Sequence, residues 1–431
     1  MRYLKLIAIL VLAATSSPSL ASNWPQWRGP KGNSVCDDTG MPLVWRENFN
    51  LAWKAELPGW GNSTPIIWEG AVFVSSQQDD KLLLLRLEKK TGKVVWTREV
   101  GRGTLDQAAK SKRGQQVFHR LQNLASPSPV TDGKTVVAHF GNGDLAAYDF
   151  DGKQLWRHNL QDDHGKYTIW WGHANSPVIH QDLVISVCMQ DSLADLKGET
   201  RDSYLVAHDL KTGRQRWYIK RATEAQSEEC DAYTTPVFQT VGKRTEMLVF
   251  GGNQLDSFDP ATGQRWWYLP GLKGGRTITG PTVAGEYLVA TRGMRGPMLA
   301  MKLSPLNEGK LTNRAVAWTQ QTGTPDSCCP AVWADLAFTV TDDGVARCYN
   351  GFSGRRWWEA RLTGRYKASP ITGENRVYFL NEDGLCTVVS ASTHFQKLVE
   401  NQVNDQTIAS PAAAGKQIFI RGRKSLYCFG Q

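Results

Sequence analysis

The 431-residue sequence has no Cys-x-x-Cys pair, no cysteines and histidines at zinc-ligand spacing, and no Cys-x-x-Cys-His site. These absences remove the structural-zinc, thioredoxin-like and c-type haem classes. Beyond the extreme N-terminus no apolar run reaches the roughly 18 residues of a membrane-spanning helix, so no transmembrane segment is expected. There is no long tract of one charge either. Fifty Lys and Arg against 41 Asp and Glu leave a net charge of +9 spread along the chain, the pattern of a solvated surface, so nucleic acid is not an expected partner. Gly141-Asn142-Gly143 and Gly274-Gly275 lack the strand–helix setting of a phosphate loop and read as turns.

What the chain does have is tryptophan, 17 residues of it, much of it closing a recurring phrase: small, x, acidic, x-x-x, Gly, x-x-x, Trp. Copies run Ala207, Asp209, Gly213, Trp217; Ser257, Asp259, Gly263, Trp267; and Cys348, Asn350, Gly354, Trp358. Looser copies end at Trp96 and Trp156. Upstream of each lies a second phrase, a small residue before Pro and then alternating β-branched residues, with Pro65, Pro129, Pro177, Pro236, Pro281, Pro330, Pro370 and Pro411 spaced 40 to 64 residues apart. That period is the four-stranded blade of a β-propeller. The fold class is therefore all-β, an eight-bladed β-propeller of four-stranded antiparallel blades.

Pro cannot donate to a ladder, so the Pro-bearing strand is expected at the inner edge of each blade. Gly supplies the turn, and the indole covers apolar surface on the next blade. After Pro411 only 20 residues remain, too few for a full blade, and Leu51–Leu57 reads as an orphan fourth strand. The ring is thus expected to close with an N-terminal strand in the last blade.

Arg2 and Lys5, the apolar run Leu6–Ala14 and the small-x-Ala site Ser19-Leu20-Ala21 describe a signal peptide over 1–21, followed by one propeller domain over 22–431. Without Arg2 and Lys5 the net charge is +7. The mature protein is expected to be exported, periplasmic or extracellular, and monomeric. A chain this large needs no disulfide framework. Cys348 and Cys428 fill small positions of the Trp phrase. For Cys328-Cys329 two readings stand: a vicinal disulfide, or Cys329 filling the small slot before Pro as Ser128, Ser176, Ser369 and Ser410 do.

With both phrases in hand, the chain resembles the quinoprotein-type β-propellers over residues 51–431. That group includes the pyrroloquinoline-quinone (PQQ) dehydrogenases and the non-catalytic propeller lipoprotein of outer-membrane assembly. The start of the mature chain, Asn23-Trp24-Pro25-Gln26-Trp27-Arg28-Gly29-Pro30, is similar to the opening of exported PQQ-like repeat proteins of planctomycetes. The dehydrogenase resemblance implies a Glu/Asn/Asp calcium site, a catalytic Asp, an Arg on the quinone, an indole floor and a vicinal disulfide. Indoles and Cys328-Cys329 are present, but the carboxylate ligands do not align residue by residue.

Residues just before the inner strands converge on one end of the axial channel, which makes them the candidate binding residues. They are His119, Arg120, Asn123, Trp171, His173, Asn175, Asp231, Tyr233, Arg276, Asp326, Tyr366 and Lys367. Arg120, Arg276 and Lys367 against Asp231 predict a net-positive cavity. The histidines fall in different blades, and no nucleophile–base pair emerges. An insertion over Arg102–Gln122, with a helical turn expected at Leu105–Lys110, and another over Ser192–Asp202 would shape the rim. The functional expectation is a non-enzymatic scaffold that binds an envelope protein or glycan and needs no cofactor. The alternative is an alcohol or sugar dehydrogenase using PQQ and calcium.

Overall fold

The computed structural model describes residues 23–105, 107–108, 117–190, 202–294 and 296–430. The signal-peptide reading of 1–21, and the Ser192–Asp202 insertion apart from Asp202, lie outside the described residues.

Eight antiparallel sheets follow one another along the chain. Blade 2 is representative: Val130–Thr131, Thr135–His139, Asp144–Asp149 and Gln154–Asn159 pair in sequence order. The inner strands are only two to five residues long, because each begins directly after its proline. In blade 8, Ala412–Ala414, Gln417–Arg421 and Ser425–Gly430 are completed by Leu51–Glu56, with Trp53 opposite Cys428 and Lys54 opposite Tyr427. The expected ring closure is therefore present.

The Trp phrase works as a coupling between blades. The indole N–H of Trp53 donates to Lys89 O at 2.7 Å, Trp96 to Phe150 O at 2.9 Å, Trp156 to Leu210 O at 2.9 Å, Trp217 to Pro260 O at 3.2 Å, Trp318 to Gly351 O at 2.9 Å and Trp358 to Ser392 O at 3.0 Å. In each case the acceptor lies in the turn of the following blade. Gly213 shows why that turn carries glycine: its φ is +73°, and a Cβ there would fall 2.6 Å from Trp156 Cγ.

Trp267 departs from the pattern. Its N–H donates to Glu246 Oε2 at 2.9 Å inside its own blade, where Glu246 is also held by Arg244 and Ser257. The strands Met298–Lys302 and Val316–Gln320 of blade 5 are joined by a long excursion instead of a glycine turn, and Gly309–Lys310 within it pairs in parallel with Trp267 and Tyr268.

Residues 23–50 cross one end of the axis. Trp24 bridges to Ile67 in blade 1, Pro25 O accepts the N–H of Thr131 in blade 2, and Cys36 N–H donates to Thr372 O in blade 7. The buried Arg28 guanidinium reaches Ser34 Oγ and Pro281 O at 3.0 Å each, Pro330 O at 2.9 Å, and Thr282 Oγ1. The other end of the axis carries the loops that enter the inner strands. There Gln107–Ala108, at the centre of the expected helical turn, is instead extended and pairs in parallel with Phe118–His119 beside the segment leading into blade 2. Most of that loop lies outside the described residues.

Candidate functional site

The segment entering each inner strand is extended, so successive side chains alternate between the axis and the blade wall. The small residues before proline are Thr64, Ser128, Ser176, Thr235, Gly280, Cys329, Ser369 and Ser410. Two positions earlier stand Asn62, Ser126, Ala174, Tyr233, Ile278, Ser327, Lys367 and Ile408, and all eight line one axial cavity of about 440 Å³.

Five of the small residues line the same cavity below them, and they form a belt. The backbone N–H of Thr64 donates to Ser128 Oγ at 2.9 Å, that of Ser128 to Ser176 Oγ at 2.9 Å, and that of Ser176 to Thr235 Oγ1 at 3.2 Å. The belt resumes with Cys329 N–H on Ser369 Oγ and Ser369 N–H on Ser410 Oγ, both at 3.0 Å. Gly280 interrupts it, and the space its missing side chain leaves is approached by Trp27: a Cβ there would lie 3.6 Å from the indole. Trp27, delivered by the N-terminal crossing, is part of the cavity lining.

All eight cysteines are free and buried, so Cys328 and Cys329 do not form the vicinal disulfide considered from the sequence. Alternation sends neighbours to opposite faces. Cys329 Sγ lies in the belt, 3.1 Å from Gly280 N, while Cys328 packs in the core between blades 6 and 7.

Of the twelve expected mouth residues, His119, Trp171, Tyr233, Arg276 and Lys367 line the cavity. Asp326 stands behind Arg276, and Arg120 is exposed beyond the lining. The other five are wall residues. Asn123 donates to Trp60 O at 2.8 Å, and Asn175 to Ala232 O at 3.1 Å and Thr234 O at 2.7 Å. Asp231 accepts from Trp170 N–H at 3.0 Å, and Tyr366 donates to Thr363 O at 3.1 Å. His173 is buried, with Nε2 3.1 Å from Val187 O and its ring 4.6 Å from His139. His173, Asn175 and Tyr366 stand an odd number of positions before the small residue, which turns them into the wall.

The charges at the mouth are already matched, so the expected net-positive cavity is not formed. Arg276 pairs with Asp326 at 3.2 Å and lies 4.0 Å from Glu228. Lys367 pairs with Asp342 at 2.5 Å and contacts Ser327 Oγ at 3.1 Å. Burial pushes the Asp342 carboxyl up, but Lys367 beside it and the hydrogen bonds of Ser327 bring it below the usual carboxylate range. Burial, with help from Lys367, Arg120 and Arg276, pushes His119 down, so the imidazole is neutral at pH 7; its ring stands edge-on to Trp171 at 5.5 Å.

Sequence reasoning missed Trp27, Asn62, Gln122, Ser126, Glu228 and Ser327 as cavity residues. Counting back two from each small residue would have found Asn62, Ser126 and Ser327. No such signal exists for Trp27, which arrives from a different part of the chain. The donor set does not suit a PQQ–calcium site. Asp326 and Asp342 are held by Arg276 and Lys367, Cys328 and Cys329 sit in wall and belt, and among the described residues no group of three or more His, Cys, Asp or Glu is placed to hold a metal.

Eight blades around one axial cavity, six of them coupled to the next by an indole N–H, define a PQQ-like β-propeller. The family model described as outer membrane protein assembly factor BamB matches residues 45–197 and 306–428, more than half of the sequence, and the chain belongs to that family. BamB from Moraxella catarrhalis superposes with a TM-score of 0.62 at 14% identity, covering 88% of this chain and 99% of that one. Quinohemoprotein alcohol dehydrogenase from Comamonas testosteroni gives 0.70 at 12% identity, covering 97% and 81%. A europium-containing methanol dehydrogenase gives 0.68 at 12% identity, covering 95% and 98%. At these identities the likeness is one of fold. No curated protein matches the chain.

Proposed function

We propose that the protein is an exported binding propeller of the cell envelope, which recognises a protein or glycan partner at the cavity mouth and carries out no chemistry of its own. The observation that carries this reading is the cavity: aromatic and hydroxyl-lined, with its cations consumed by neighbouring carboxylates. Family membership supports an envelope setting, because the family is described by an outer-membrane assembly factor. The signal-like segment 1–21 supports export, to the periplasm or beyond. Among the described residues no helix is long and apolar enough to cross a membrane.

The test is site-specific photocrosslinking in the native host from Arg120, at the mouth, and from Phe352, on the outer surface. A discrete adduct from position 120 alone is expected, and none from either position would overturn the reading. The misfit of the donor set to PQQ and calcium has a direct measurement of its own. PQQ plus Ca²⁺ at about 100 times Kd would stabilise a true receptor by ~2.7 kcal/mol, and a stabilisation of that size would favour the dehydrogenase.

A further inference from the structure

The belt hydroxyls give the cavity a chemical preference. Ser128, Ser176, Thr235, Ser369 and Ser410 each accept one backbone N–H, or in the case of Ser410 the N–H of Ser369, and none donates its own proton to an acceptor among the described residues. All five are between 2% and 6% exposed. A buried O–H without an acceptor is costly, so whatever fills the cavity must bring acceptors to them. The side of the floor that lacks these donors is the Gly280 gap, and there the Trp27 indole supplies a flat apolar surface, with Ile278 in the ring above.

Charge narrows the choice. With Arg276 on Asp326 and Lys367 on Asp342, a phosphate or carboxylate would find no unmatched cation in the cavity lining and would face Glu228 as well. The same ion pairs present both donors and acceptors to a neutral ligand. A cavity of about 440 Å³ lies in the range of small-molecule sites. We propose that it receives the uncharged terminal pyranose of a glycan. The C–H face of the sugar would lie on an indole and its hydroxyls would meet the belt. This rests on the binding function proposed above and selects one partner class within it.

The mature chain is titrated with N-acetylglucosamine, methyl glucoside, their β-1,4-linked disaccharides, glucuronate and inorganic phosphate, read by calorimetry and tryptophan fluorescence. Saturable binding of a neutral sugar is expected, about tenfold or more tighter than glucuronate or phosphate. Trp171→Ala, at a half-buried rim position that leaves the blades intact, should weaken it by a similar factor with an unchanged melting temperature. No saturable binding of any neutral sugar, tighter binding of the anions, or an unaffected Trp171→Ala variant would each overturn the proposal. If sugars fail while position 120 still crosslinks to an envelope protein, the glycan assignment falls and the binding reading stands.

Discussion

The seam between blades 2 and 3 and the seam between blades 4 and 5 are built from the same tryptophan in two different ways. At the first, Trp156 lies in the notch left by Gly213, bonds Leu210 O and stacks at 6.2 Å on His208, while His158 Nε2 lies 2.8 Å from Gly213 O. At the second, blade 5 offers no glycine notch. Trp267 finds its acceptor in the buried Glu246 of its own blade, and the seam is bridged by the parallel pairing of Gly309–Lys310. Docking is thus a property of a pair, an indole in one blade and a turn in the next. When the receiving turn is missing, the indole N–H still requires a partner, and a carboxylate that would otherwise be poorly placed in a core becomes useful.

Three experiments press on that contrast, the strongest first. Trp156→Ala removes a packed indole and its inter-blade bond, and should lower stability by ~3–5 kcal/mol in denaturant unfolding; a loss below about 1 kcal/mol would mean the seam does not depend on its coupling.

Acid should separate the two seams. Burial pushes His173 from 6.5 down to about 4, and His208 likewise to about 4. Between those values the unfolded chain binds protons that the folded protein refuses, so stability is complete above about pH 6.5 and falls as the pH drops toward 4. For the fully buried His173 the loss is about 3 kcal/mol. No histidine lies at the 4–5 seam. Hydrogen exchange on acidification should therefore rise in Thr135–His139 and Leu183–Cys188 before Tyr287–Thr291; simultaneous exchange would contradict the assignment.

The mildest test compares two glycines of similar backbone. Gly213→Ala must strain φ and displace the Trp156 ring, whereas Gly309, at φ +60°, has nothing within 4 Å of a new Cβ. The first should cost about 3 kcal/mol and the second ~1, and equal melting shifts would show that the notch carries no packing role.

The sequence carried the ring almost entirely, because both phrases encode local requirements: a proline that only an edge strand tolerates, and a glycine that only an adjacent indole demands. Closure by Leu51–Glu56 was legible for the same reason, as a strand without a blade. The site was legible in part. His119, Trp171, Tyr233, Arg276 and Lys367 were found because entry loops of a propeller must converge. His173, Asn175 and Tyr366 were misplaced because polarity alone does not tell which face of an extended segment a side chain takes. The pairing of Lys367 with Asp342, 25 positions earlier, and the arrival of Trp27 beneath Gly280 depend on tertiary placement that no local pattern records.

Leu51–Glu56 is made early in synthesis, yet its ladder partner among the described residues, Ser425–Gly430, lies far along the chain and is made long after it. Nothing can seal the ring until Ser425–Gly430 exists, and every blade finished before then belongs to an open arc with a bare edge at its leading end. The equilibrium penalty of closing so long a loop grows only with the logarithm of its length, but the wait is kinetic, and contacts this distant in sequence are slow to find one another. The period of greatest exposure to aggregation therefore falls between the completion of blade 7 and the arrival of Gly430. A chain stopped before Ser425 would lose its circularity, and with it the protection of both ends at once.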